Sequence, residues 1–345
     1  MRSSAHENCF RLYRPLARIA LECLIQRWPH IGTGIKDLAH IMEKKVKVLV
    51  SHYQPQHMAG ATLWPKDMFT PWDVRFNLGS KLLEFDLLKK IRSERVMDNN
   101  DYSGLISHSA FEKLALPLDY LENEIQDGLN NEVDVILINP AIGCNAFFKN
   151  GIEQGQLIGQ NKMGFLFNRL GFSDYATITL PYYSFIMCSY IIATKSFWDV
   201  YFDFVEGVLD DAQRIAKDDN NFAQSYFGDS NYKKKPGLFD YRPFIIERLP
   251  QILITKFGMK IKYIESPKAT FAVKFGHTAK LIYDMYQLKK LGMHEPEKLD
   301  LWNKIRQPFL AHEALCYKIA TRGEFSRTPG QAQENMRYIH NGDFI

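Results

Sequence analysis

Little in this sequence marks it for secretion, zinc binding or nucleic acid. Five cysteines, Cys9, Cys23, Cys144, Cys188 and Cys316, stand far apart, with no CxxC pair and no Cys/His cluster. That usage fits a reducing compartment and offers no zinc-ligand spacing. The longest strongly apolar stretch, residues 185–193, falls well short of the roughly 18–20 residues a spanning helix needs. No charged n-region, apolar h-region and small-residue cleavage site opens the chain. The expectation is an unsecreted protein, cytoplasmic or peripheral at a membrane. Also lacking are GxGxxG after the first strand, GxxxxGK[ST], GxSxG and HExxH, so the common dinucleotide, P-loop, serine-hydrolase and zinc-protease readings have no motif support. A large excess of one charge is missing too. The formal charge is +4 over 345 residues; residues 1–45 carry eight Lys/Arg against four Asp/Glu, and the other 300 are balanced at 35 each. A neutral main body argues against nucleic acid as a partner.

What is present starts with a 46% hydrophobic share, enough to bury a full core. Within residues 11–28, Leu12, Leu16, Ile19, Cys23 and Leu24 recur at helical spacing while Arg11, Arg14, Arg18 and Glu22 take another face. A basic amphipathic helix of this kind can lie on an anionic membrane surface, with Trp28 at the headgroup level; packing on the domain or on a partner is the alternative. Pro29, Gly32 and Gly34 then break the pattern.

From Val46 the pattern becomes that of an α/β protein. A β-branched run over residues 46–50 predicts a first strand that ends in Ser51, His52 and Tyr53. Residues 80–96 read as a helix with Leu83, Leu87, Leu88 and Ile91 on one stripe, 102–107 as a strand, 117–129 as a helix and 133–139 as a strand. A polar, Gly/Asn/Gln-rich loop is expected over 143–164, strands over 178–180 and 185–193, and a helix over 197–214. A long loop over 218–242 precedes a helix over 243–255 and a strand over 261–265; the remainder from about Gly276 reads as helical. Strands alternating with helices predict a mainly parallel sheet flanked by helices, with ligand at the C-terminal strand ends: Ser51 to Tyr53, Ser107 to Ser109, and Asn139 with Pro140.

Several short segments resemble one family. Asp101-Tyr102-Ser103-Gly104-Leu105-Ile106-Ser107-His108 resembles the D-Y-x-G-L-x-H segment of a branch of bacterial polysaccharide-cluster glycosyltransferases, of the kind that act in capsule, O-antigen and lipopolysaccharide synthesis. The pair formed by residues 189–201 (SYIIATKSFWDVY) and 242–249 (RPFIIERL) resembles that group's later pairing, an F/W-D-x-Y segment followed by x-F-x-x-E-R-L. The likeness spans about residues 46–275 and lives in short motifs. It implies a GT-A-like, Rossmann-like fold with a mixed, mainly parallel sheet over 46–275, a helical arm over 1–45 and a helical extension over 276–345. It also implies transfer of a sugar from a nucleotide-sugar donor to a glycan or lipid-linked glycan acceptor.

The resemblance makes His52, Tyr53 and His108 candidates for the donor pocket, with His277 as a late histidine near the diphosphate. On their own chemistry, Tyr53 can stack on a base and His52 can hydrogen-bond to a base or phosphate. His108 stands where GT-A enzymes usually carry an Asp-x-Asp metal motif; the triplet here is Ser107-His108-Ser109, so dependence on Mn²⁺ or Mg²⁺ is an open expectation. Other acidic triplets, at Glu84-Phe85-Asp86, Glu122-Asn123-Glu124 and Glu132-Val133-Asp134, sit in helices or at a strand start and are poor diphosphate-metal ligands. Glu247 is the candidate base for the attacking hydroxyl, against the plainer role of pairing with Arg248 or favouring a helix dipole. Lys233, Lys234 and Lys235 are candidates for a lid over the phosphates, and Asn145, Glu153 and Gln154 for reading acceptor hydroxyls. The rival expectations are a catalytically silent module of the same fold and another phosphosugar-using α/β enzyme.

Overall fold

In a computed structural model, residues 44–54, 64, 66–157, 161–230 and 239–311 are described. The chain divides into two units, Met1–Lys45 and Val46–Ile345. The expected amphipathic helix at 11–28, the lysines at 233–235 and the end of the helical extension lie outside the described residues.

Six strands form one sheet: β1 Val46–His52, β2 Phe69–Asp73, β3 Tyr102–Ser107, β4 Val135–Ile138, β5 Ile191–Thr194 and β6 Ile261–Ile264. Their order is β2-β1-β3-β5-β4-β6. All are parallel except β5, which runs against both of its neighbours, so the expectation of an α/β fold with a mixed, mainly parallel sheet is met. Leu49, Leu105, Leu137 and Ile191 bury into one core, and Val50, Ile106, Ile136 and Ile192 into another. Both faces of the sheet are therefore covered, which is why the strands read as continuous apolar runs.

The first core lies under α1 Glu84–Ser93; the second under α2 Ala110–Leu114 and α3 Leu118–Asn130. After β4 come α4 Ile142–Phe147, α5 Gly151–Leu157, α6 Met163–Arg169 and α7 Ser173–Thr177. β5 passes straight into α8 Lys195–Asp218, followed by α9 Asn220–Tyr226, α10 Arg242–Ile246 and α11 Leu249–Phe257, which complete the cover of the first core. Beyond β6, α12 Lys268–Phe275, α13 Ala279–Leu291 and α14 Pro296–Leu310 pack with α4 around a third core that includes Phe147, Phe271, Tyr286 and Trp302.

Four departures from the expected elements have local causes. β2 arises between the first strand and the 80–96 helix, where no strand was expected, and its Pro71, which has no N–H, is tolerated because β2 is an edge strand. The expected strand at 185–193 shortens to four residues because Cys188 and Ser189 take φ of 67° and 50°, left-handed values that end extended structure. The described residues of 143–164 are largely helical, and the Asn150 amide turns inward: its Nδ2 donates to Tyr175 O at 2.9 Å and Ile178 O at 2.9 Å. Those bonds hold residues 178–180 as coil instead of the expected strand. Asp219 ends α8 and accepts from Phe222 N at 3.0 Å, so the first part of the expected 218–242 loop is a capped helix, α9.

Gly104 is required where β3 meets β5. A Cβ there would stand 2.5 Å from the Ile191 carbonyl oxygen, and backbone cannot yield as a flexible side chain does.

Candidate functional site

Five strands point their C-terminal ends to one edge of the sheet, and β5 enters from that same edge through Cys188, Ser189 and Tyr190. A cavity of about 310 Å³ opens there between α1, α2, the start of α4 and α10, lined among others by Glu84, Lys113, Gln154, Cys188, Tyr190, Tyr201, Glu247 and Arg248.

Glu247 sits at the break between α10 and α11, where the single expected helix at 243–255 is divided. Its Oε1 accepts from Cys188 N at 2.8 Å and its Oε2 from Arg248 Nη1 at 3.2 Å. The left-handed turn at Cys188 and Ser189 turns that amide toward the carboxylate, strain of a kind that collects at functional sites. Arg248 is 1% exposed. Its guanidinium also donates to Gly151 O at 2.6 Å, Phe244 O at 2.7 Å and Gln154 Oε1 at 2.7 Å. One planar cation therefore ties α5, α10 and the candidate base together.

Glu84 opens α1 behind Leu83, whose φ is 51°. Ser80 Oγ accepts from Leu82 N at 3.1 Å and Leu83 N at 2.9 Å, and Asn77 Nδ2 donates to Leu83 O at 3.0 Å, so three local bonds hold this unusual turn. Glu84 lines the cavity and keeps an exposed surface. Burial raises its pKa above the ordinary carboxylate value, the negative Glu247 adds to this, and its own backbone N–H and Lys113 work in the opposite direction.

Lys113 donates to Tyr190 Oη at 3.3 Å, and that hydroxyl also meets Ser107 Oγ at the end of β3. Burial opposes the lysine's charge, but Tyr190, Cys188 and Glu84 outweigh it and hold the pKa above the ordinary lysine value. The Cys188 thiol is pushed up to about 12, first by burial and then by the charge on Glu247, so at neutral pH it is not a thiolate nucleophile. Tyr201 comes from α8, which Trp198 docks on the sheet through Nε1 to Ser103 O at 3.0 Å. Its hydroxyl is buried and has no hydrogen-bond partner.

Among the residues singled out from sequence, Glu247 and Gln154 line the cavity. Tyr53 stands behind Glu84, hydrogen-bonded by Asn77 and pushed up to about 12 by burial and by the Glu84 charge. Strand alternation places the buried His52 with Val48 and Val50 toward the second core, away from Tyr53. His108 gives its backbone N–H to Ser51 O at 2.9 Å and is not a cavity residue. His277 is exposed in the 3₁₀ turn Gly276–Thr278.

All three of the expected acceptor-reading residues have structural partners, Gln154 through the Arg248 guanidinium at 2.7 Å. Asn145 is fully buried; its Nδ2 donates to Tyr182 O at 2.8 Å and its Oδ1 accepts from Lys289 Nζ at 3.0 Å. Glu153 accepts from Arg306 Nη1 and Lys149 N, at 2.8 and 2.6 Å. The sequence marked Glu84 only as part of an acidic triplet unsuited to a metal, and gave no role to Lys113, Tyr190 or Tyr201. Tyr190 and Tyr201 lie within the 189–201 segment already noted, but nothing local marked Lys113.

Among the described residues no group of three or more His, Cys, Asp or Glu side chains converges as a metal site, and no helix is long and apolar enough to cross a membrane. Comparison with known protein families, with curated proteins and with solved structures returns no match.

Proposed function

We propose that the protein is a glycosyltransferase of GT-A-like fold that moves a sugar from a nucleotide-sugar donor to a glycan acceptor, with Glu247 as the base. The observation that carries this reading is the setting of Glu247 in the cavity at the C-terminal strand edge, both carboxylate oxygens held by Cys188 N–H and Arg248. In the reaction the acceptor hydroxyl loses its proton to Glu247, its oxygen forms the new bond to the anomeric carbon, and the bond from that carbon to the diphosphate oxygen breaks. The departing nucleoside diphosphate takes the electron pair and needs positive charge. Lys113 supplies it on the cavity wall. Lys274, which bridges the carbonyls of Lys113 and Pro140, stands close by, its pKa pushed down to about 8 by burial.

The test is nucleotide release from a panel of nucleotide sugars, with and without Mn²⁺ or Mg²⁺, beside donor binding by calorimetry. Glu247→Gln is expected to bind donor normally and to lose about 10²- to 10⁴-fold in kcat. Absence of binding by every donor overturns the reading, and full turnover in the variant removes Glu247 from its role.

A further inference from the structure

At the C-terminal end of β3 the fold gathers hydroxyls and positive charge. β1 has β2 on one side and β3 on the other, so the chain leaves β1 in opposite directions, and the ends of β1 and β3 border the crevice where open α/β sheets take ligand. Ser107 ends β3 there. Its Oγ stands 3.0 Å from Ser109 Oγ and also meets the Tyr190 hydroxyl, to which Lys113 Nζ donates at 3.3 Å. An ammonium only donates, so three hydroxyl protons serve two hydroxyl contacts and one O–H is left over. Tyr190 is buried and gives its proton to Ser107, which leaves the free O–H with the two serines. Both serines are half-buried and Lys113 is exposed, so these donors are reachable. Lys113 N donates to Ser109 O at 3.0 Å, placing the two residues one helical turn apart on one face.

We infer that Ser107, Ser109 and Lys113 form a clamp for a diphosphate group, with the charge of Lys274 behind them. The inference deepens the sugar-transfer reading and rests on it for the source of that group, the nucleotide of the donor. Every group left over at this edge is a donor, and a phosphate is an acceptor with several oxygens. Stems about 5–6 Å apart let one serine hydroxyl and the lysine reach oxygens of the same phosphate. Hydrogen bonds from a cation to an anionic oxygen are also the strong ones. Charge favours the same ligand. Glu84 and Glu247 are the carboxyl groups on the cavity wall; Arg248 pairs Glu247 at 3.2 Å, and Lys113 lies near Glu84. Lys274, from α12, is held by two neutral carbonyls, those of Lys113 and Pro140. Three cations therefore stand against two carboxyl groups, and an anion at this edge offsets the surplus.

The experiment is calorimetric titration of the full-length protein with inorganic pyrophosphate and with a panel of nucleoside diphosphates, in EDTA so that the anion meets side chains alone. Pyrophosphate is expected to bind. Lys113→Gln weakens it about ten-fold or more and Ser109→Ala about three- to ten-fold. Ser109→Thr, which keeps the hydroxyl, stays within about two-fold of the unaltered protein, and so separates loss of a donor from loss of the fold. No binding of pyrophosphate in EDTA, or unaltered affinity in both Lys113→Gln and Ser109→Ala, overturns the inference. A nucleoside diphosphate that binds more tightly than pyrophosphate assigns the group to a nucleotide; the reverse order assigns the clamp to free diphosphate. A protein that turns over a nucleotide sugar while both variants keep full diphosphate affinity loses this inference alone. One whose clamp behaves as expected but that releases nucleotide from no donor loses the transfer reading alone.

Discussion

A single buried cation decides much of the geometry around the candidate base. Arg248 satisfies two backbone carbonyls and the Gln154 side chain while pairing Glu247. Replacing it with methionine keeps the volume but strands those acceptors and leaves a carboxylate without its partner. Arg248→Met is expected to lower stability by about 3–5 kcal/mol in urea unfolding. Arg248→Lys should recover little of this, because an ammonium cannot address acceptors spread along a planar fork. Wild-type stability in Arg248→Met would show that the network is incidental. At this scale the segment Arg242 to Leu249 pointed to Glu247, but the neighbours that give it meaning were not legible. Cys188 and Gln154 lie 59 and 94 residues away from their partners Glu247 and Arg248, and no local pattern encodes such a pairing.

Helix α13 carries a second consequence of burial. Lys289 is 0% exposed, donates to Asn145 O, Asn145 Oδ1 and Phe148 O at 3.1, 3.0 and 2.8 Å, and lies over the Phe185 and Trp302 rings. Burial pushes its pKa down to about 7, with Glu153 acting to raise it and Arg306 to lower it further. In the unfolded chain a lysine titrates near 10.4. Between these values the unfolded chain holds a proton that the folded chain lacks, so this group's contribution to stability rises with pH from about 7 to about 10 and is lost as pH falls back through that window. Lys289→Met should remove a slope of at most about 1.4 kcal/mol per pH unit, measured by urea unfolding between pH 7.5 and 9.5. An unchanged slope would mean that the carbonyls and rings keep the lysine charged in place.

Element identity was mostly legible where the period was clear. β3 is found at the expected residues 102–107, and α8 extends the expected 197–214 helix because Thr194 Oγ1 caps it by accepting from Phe197 N at 3.3 Å. It failed where side-chain amides bond inward, as at Asn145 and Asn150, since polarity there reflects satisfied burial and not a solvated loop.

For the whole molecule, charge divides as the chain does. Residues 1–45 hold the entire surplus of +4 and form one unit, residues 46–345 the other. Deleting residues 1–45 is expected to leave the melting temperature of the remainder within about 2 °C, since residues 46–345 form a unit with cores of its own. The deletion should also abolish sedimentation with liposomes containing anionic lipid. Retained liposome binding would assign membrane attachment elsewhere, and a collapsed melting transition would show that the arm is structural.

Sequence alone was sufficient for the α/β class, the neutral body with its basic arm, and Glu247 as a carboxylate worth attention, because apolar periodicity, net charge and short motifs are all local quantities. Only the tertiary structure decided that β5 runs antiparallel between β3 and β4, that His52 and Tyr53 part to opposite sides, and that Glu84, Lys113, Tyr201 and Glu247 share one cavity. Those outcomes depend on strand direction, side-chain alternation and contacts across more than a hundred residues, which are settled by packing two covered faces of one sheet and not by any segment on its own.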